Sequence, residues 1–482
     1  MAEMFAFLVV VSVTVLVVKI LIKTLPGNLA SVMRNRIVFL IILALVIKLT
    51  VVLFWYLNAG HSLYVYADGS TRDSGYFDWS GRLLANYFSQ GRFFDPELLH
   101  LYGESIGFPY YVGIIYTLFG HHQIMVSIFN TLLSVILALL MFHIVLSLFS
   151  DQRIAFWTLA FNLFYPHYIS QSYYILKDML LLFLMVVFGW SIINIGINIG
   201  RNRTYLLNYF AVFLATLGIY FVRSQLAIIL IGVGGLHLLT GFGLGERKVI
   251  KALFFLLICI TLMITFGSLS PRGRSTFEKI EDFYIGQKGY RGEATPHYLE
   301  GATGPKDIIL RIVSNPASAS KDFVKSLVFI YWGPTYFYQR SGANLFYAYG
   351  KFVFWENLGA IMRIFLMPMV IYGFFHCLRE RKVETFLLYG FVALWTFVMM
   401  LTGSDERWSM NLIPFLLFFG AVGVVNFDRI KPFYILYILA FNLFIVANIT
   451  LYQNLIVAKP LAILTFITIL WGLLRYRHRI IM

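Results

Sequence analysis

Apolar runs of about 17–25 residues, long enough to cross a bilayer core as a helix, recur along almost the whole of this 482-residue chain. They lie near 5–23, 37–57, 123–149, 154–170, 178–199, 205–222, 225–244, 252–268, 352–376, 384–402, 411–427, 432–452 and 457–474. Lipid offers no hydrogen-bond partner to backbone groups, so a chain cut this way must form bundled helices. Composition agrees. Charged residues make up 13% of the chain, against roughly a quarter in soluble domains, while 60% are hydrophobic. Disordered, collagen-like, disulfide-framed and nucleic-acid-binding classes are excluded. The expected fold is an all-α polytopic membrane protein with about thirteen transmembrane helices, one per run.

The excess of 38 Lys and Arg over 23 Asp and Glu matters through its placement, because cytoplasmic loops gather Lys and Arg. Putting Lys23, Arg34 and Arg36 in the cytoplasm makes every alternate loop cytoplasmic too. Those loops carry Arg153, Arg201 and Arg203, Arg247 to Lys251, Arg379 to Lys382, Arg429 and Lys431, and Arg475 to Arg479. All are short and basic. The expected topology has the N-terminus outside and the C-terminus inside a bacterial plasma membrane. The first run, with Glu3 before it and Lys19 within it, reads as a span rather than a leader. Cys259 and Cys377 indicate neither a disulfide nor a metal site.

The irregular segments fall on the opposite face: 58–122, 269–350, and the short loops 166–177, 223–224 and 402–411. Such loops are where sites tend to lie. In the first, Asp68, Asp73 and Asp78 sit within about ten residues of one another. Phe77, Leu83, Leu84, Tyr87 and Phe88 form an apolar helical stripe, which suggests a helix at the membrane interface. Asp73 falls at its start, where a carboxylate also serves as a cap. Lys177, Arg223 and Arg407 each stand at an outer span end. That depth suits a phosphate clamp, and it equally suits interfacial snorkelling. Lys48, inside the second span, either packs on a polar partner or snorkels. The aromatics of 331–336 suit the interfacial belt or a sugar platform.

Several marks, taken in order, resemble GT-C membrane glycosyltransferases, nearest to the branch of protein O-mannosyltransferases and the lipid A aminoarabinose transferase. They are Asp73-x-x-Tyr76 with Arg82-Leu83-Leu84 and Gly91, then Phe108-Pro109-Tyr110 with Leu118-Phe119-Gly120. Tyr165-Pro166 with Tyr174 to Lys177-Asp178, then Arg223, then Glu406-Arg407-Trp408 before Pro414 complete the set. The resemblance covers roughly residues 37–430. It departs in having Ser74 where the family often has Glu, and in the extra span at 5–23. It implies Asp73 as the catalytic base, with Asp78 or Asp68 as substitutes. It also implies Asp178 as an assisting carboxylate, and Lys177, Arg223, Arg407, Tyr76, Asp78, Glu104 and Glu406 toward substrate. The implied reaction moves a sugar from a polyprenyl-phosphate donor to an acceptor hydroxyl of a glycan, lipid or protein. A divalent metal is left open as a cofactor, and no metal ligands are assigned.

The chemistry suits this placement. A carboxylate takes the acceptor's proton as its oxygen attacks the anomeric carbon. The departing phosphate needs cations rather than an acid. On this reading 1–36 is an additional N-terminal span and cytoplasmic loop, and 37–268 a transmembrane core with its first outer loop at 58–122. Residues 269–350 form a large outer loop, and 351–482 the C-terminal helices. An O-antigen-type polymerase or ligase is the alternative enzyme. A transporter or lipid flippase is the alternative class, disfavoured because the carboxylates gather in outer loops rather than deep in the spans.

Overall fold

The computed structural model describes residues 31–59, 73–93, 106–197, 202–223, 230–235, 313–316, 347–348, 351–352, 354–380, 388–393 and 410–437, besides a few isolated positions. Its helices are α1 (Ser31–Ala59), α2 (Asp73–Ser89), α3 (Gly107–Phe119), α4 (Gln123–Phe149), α5 (Gln152–Phe164), α6 (Pro166–Tyr173), α7 (Asp178–Ile197), α8 (Asn202–Val222), α9 (Phe354–Arg379), α10 (Ile413–Val425) and α11 (Phe427–Tyr437). A two-residue antiparallel ladder precedes α9, pairing Tyr347 with Phe352 and Ala348 with Lys351. The described part is an apolar helical bundle. Within it four helices are long and apolar enough to cross a membrane: Ser31–Leu57, Gln123–Phe149, Asp178–Ile195 and Phe354–Arg379. The expected runs at 252–268 and 457–474, and most of those at 5–23 and 432–452, lie outside the described residues.

α4 is the hub and packs against α1, α3, α5, α6, α7 and α10. It ends at Ser150, whose backbone is left-handed (φ 54°) and whose N–H reaches the Leu146 carbonyl. Asp151 then caps α5 by accepting from the N–H groups of Arg153 and Ile154 at 2.7 and 3.3 Å. A stop and a start two residues apart fold α5 back along α4.

The run at 154–170 proves not to be one span. Pro166 has no N–H to donate and holds Tyr165 extended (φ −62°, ψ 117°), so α5 stops at Phe164. Pro166 then opens the short helix α6, every residue of which is buried.

One end of the bundle gathers the close of α1, the start of α4, all of α6 and the starts of α7 and α9. Trp55 stacks on Tyr173 (5.2 Å). Val52, Tyr173, Tyr174 and Leu176 form a buried cluster with Trp55 and Trp355 against it. These ends are the ones that alternation along the sequence puts on a common side.

α10 breaks the pattern. Alternation expects the runs at 352–376 and 411–427 to point the same way. In the structure α10 runs antiparallel to α9. A Cβ on Gly373 would strike the Phe419 carbonyl, and one on Gly423 the Met369 carbonyl. These two glycines therefore let the backbones touch. Phe418 also meets Phe149, the last residue of α4 (5.3 Å). The Met410 end of α10 thus lies with Phe149 and Arg379, and the Asn426 end, beside Arg429 and Lys431, points away from them. At Asn426 the chain turns by 109° into α11, so the run at 411–427 ends in a bend, as a broken span or a re-entrant loop does.

Candidate functional site

Asp73 opens α2, as its place before the apolar stripe predicts. The stripe itself faces protein. Phe77, Leu84 and Phe88 are buried against α3, while Tyr76 and Trp79 point outward at 42% and 55% exposure. The two helices meet through glycines. A Cβ on Gly81 would overlap Val112, and one on Gly113 would come within 2.8 Å of Leu84. Gly91, one of the marks of the resemblance, closes α2 with φ 75° and its N–H on the Phe88 carbonyl (3.0 Å). That conformation suits glycine.

Asp78 is held between the helices. One carboxylate oxygen accepts from the Tyr116 hydroxyl at 2.5 Å, and the other pairs with Arg82 Nε at 3.2 Å, one turn along α2. With both oxygens engaged inside the hairpin, Asp78 acts as a tie between α2 and α3.

The second segment, 173–178, hangs from α4. Ser127 Oγ donates to the Tyr173 carbonyl and Asn130 Nδ2 to the Tyr174 carbonyl, both at 3.3 Å and both buried. At this junction of α6 and α7 the Tyr174 carbonyl also accepts from the Leu176 N–H at 3.0 Å, and the two side chains add donors that no helix ladder supplies. The Lys177 carbonyl then accepts from Leu181 N–H at 3.0 Å and starts α7. Lys177 is half-buried, and Asp178 is buried in the first turn of α7. A carboxylate there also benefits from the helix dipole.

Asn130 connects the two segments. Its Oδ1 accepts from Tyr111 Oη of α3 at 3.4 Å, while its Nδ2 holds Tyr174. α3 reaches α2 through the edge contact of Phe108 with Phe77 (4.8 Å). It reaches α8 at Gly107, where a Cβ would lie 2.8–3.1 Å from Phe221. Arg223 follows Phe221 by two residues, half-buried, its N–H on the Ile219 carbonyl (2.6 Å). Through these contacts the α2–α3 pair, the Lys177–Asp178 turn and the Arg223 end of α8 come together around the first turns of α4.

Glu104, Glu406 and Arg407 lie outside the described residues, as does Asp68. The described residue nearest Arg407 in the chain, Met410, begins the run into α10 at the Arg379 end, opposite Lys177 and Arg223. Lys48 does not snorkel. It is buried, and its ammonium donates to Ser134 Oγ at 2.7 Å. Ser134 Oγ in turn donates to the Thr131 carbonyl at 2.7 Å. Among the described residues no three His, Cys, Asp or Glu side chains are grouped as a metal would need.

The structure adds two residues that the sequence reading passed over. Glu356 and Arg363 are each 4% exposed on α9. Their seven-residue spacing sets them two turns apart on one helix face, with Gly359 between them. That face meets α6, because a Cβ on Gly359 would touch His167 at 3.3 Å and Tyr165 Oη at 3.5 Å. Burial, and then the Glu356 carboxylate, push the Tyr173 phenol well above its ordinary range. The available signal was the presence of two ionisable residues inside an apolar run, which in a membrane helix points to function.

No family model matches the chain, and a search of curated proteins found no match.

Proposed function

We propose that the protein transfers a sugar from a polyprenyl-phosphate donor to an acceptor hydroxyl at the outer membrane surface, as a GT-C-type glycosyltransferase. The observation that carries this reading is the bridge through Asn130. It ties the α2–α3 pair, which begins at Asp73, to the turn that carries Lys177 and Asp178. Inverting transfer needs a base for the acceptor and cations for the departing phosphate. Asp73 is the base. Lys177 and Arg223 are the cations, with Asp178 orienting Lys177. Arg407, expected as a third cation, lies outside the described residues. The test is to incubate purified protein with a panel of polyprenyl-phosphate sugars and an acceptor extract. Transfer with release of free lipid phosphate supports the reading; intact donor throughout the panel rejects it.

A second reading draws on Lys48, Glu356 and Arg363. Buried ionisable residues within apolar helices, and the broken helix at Asn426, are features of transporters. It predicts flux of a solute or lipid across proteoliposomes with no bond broken.

A further inference from the structure

α6 reads Pro166-His-Tyr-Ile-Ser-Gln-Ser-Tyr173, with Ile169 its one aliphatic side chain. A helix of this composition belongs at a surface, yet all eight residues are buried. It lies among α1, α4, α5, α7 and α9. Two of its polar atoms, Tyr168 Oη and Gln171 Oε1, are buried without a hydrogen bond. Each such atom carries its full desolvation cost unless something else satisfies it. Tyr168 is in edge contact with Tyr165 (5.1 Å), which touches α9 at Gly359. Gln171 follows His167, the other residue against Gly359, by one turn on the same face. Facing them on α9 stand Glu356 and Arg363. Trp55, Trp355 and Phe354, all half-buried, rim the end of this seam.

We infer that the seam between α6 and α9 is a binding site for a neutral, hydroxyl-rich ring, a sugar. The chemistry of the groups selects this class. A carboxylate, a guanidinium and an amide each present two polar atoms side by side, a spacing that matches adjacent ring hydroxyls. Gln171 Oε1 and Tyr168 Oη supply further acceptors, and aromatic rims suit a ring with one apolar face. Glu356 and Arg363 together bring no net charge to the seam, which suits a neutral ligand. In the transfer reaction proposed above, the ring held here is the donor's sugar, an assignment that rests on that reading. The binding site itself does not.

The test uses methyl hexopyranosides as probes of the full-length purified protein, with binding followed by saturation-transfer NMR. A neutral hexoside should bind at least ten times more tightly than the matching uronate or amino sugar. Tyr168→Phe and Gln171→Leu should each weaken it about tenfold or more. Both variants should keep or raise thermal stability, because each removes a buried polar atom that has no partner. Affinity for a short-chain polyprenyl phosphate without sugar should be unchanged in both. Loss of hexoside binding in stably folded variants supports the seam site. Unchanged hexoside binding in both, or no preference among the three probes, overturns it. Lipid-phosphate binding and release test the transfer reading separately, so either idea can fail alone.

Discussion

Asn130 donates to the Tyr174 carbonyl and accepts from the Tyr111 hydroxyl, so one buried amide on α4 spans two segments far apart in sequence. Asn130→Leu removes both bonds, leaving the Tyr111 hydroxyl without this partner and the Tyr174 carbonyl with the Leu176 N–H alone. Unfolding in detergent should become easier by about 1–3 kcal/mol. Donor affinity should also fall, because the Lys177 turn loses its anchor. If Asn130→Leu lowers stability while donor affinity holds, the bridge is only structural.

Asp73 and Asp78 should separate by phenotype. Asp73→Asn cannot take a proton, so turnover should drop by roughly a hundredfold or more with donor binding little changed. Asp78→Ala instead breaks the tie to Tyr116 and Arg82. Its first effect should be a lower melting temperature. Steady-state kinetics alongside melting curves distinguish the two, and the opposite pattern would move the base to Asp78.

Lys177→Gln and Arg223→Gln should each weaken lipid-phosphate binding by about 1.5–3 kcal/mol, the usual range for a charge-assisted contact. Arg223→Lys should recover only part of that loss if the contact is bidentate. Arg407→Gln should weaken binding likewise if Arg407 is the third cation of the clamp. Unchanged affinity in all three variants would end the clamp reading.

The direction of α10 makes a topological prediction. In a background with both native cysteines replaced, a cysteine at Ser70 should react with an impermeant thiol reagent in intact cells. One at Arg381 should react only after lysis. A cysteine at Ser404, which alternation alone would expose outside, should behave like Arg381. Labelling of Ser404 in intact cells would contradict the antiparallel packing of α9 and α10.

Gly373 and Gly423 should tolerate no side chain. In either position a Cβ meets the backbone of the facing helix, which cannot rotate away. Gly423→Val should therefore destabilise by more than the 1–3 kcal/mol usual for overpacking, whereas Gly232→Ala, with nothing within 4 Å of its Cβ, should cost little. Thermal unfolding of the two variants checks this.

Much of the architecture was legible in the sequence because hydrophobic length and local backbone rules act over short stretches. The helices over 123–149 and 178–197 and the start of α2 at Asp73 follow from such stretches, whereas the break before Pro166 falls inside the run expected at 154–170. The helix ends that alternation groups together do meet around α4, whereas α10 runs against α9, because hydropathy carries no direction and the contact of Gly373 and Gly423 with backbone exists only once two distant helices meet. The roles of particular carboxylates were also a tertiary matter. Asp73 and Asp78 look alike in sequence, yet Tyr116 and Arg82 occupy the oxygens of Asp78. Glu356 and Arg363 were visible as charges in an apolar run, but their meaning came from α6. A buried polar helix can be recognised only from what surrounds it, since burial is a property of the packed bundle and not of the eight residues themselves.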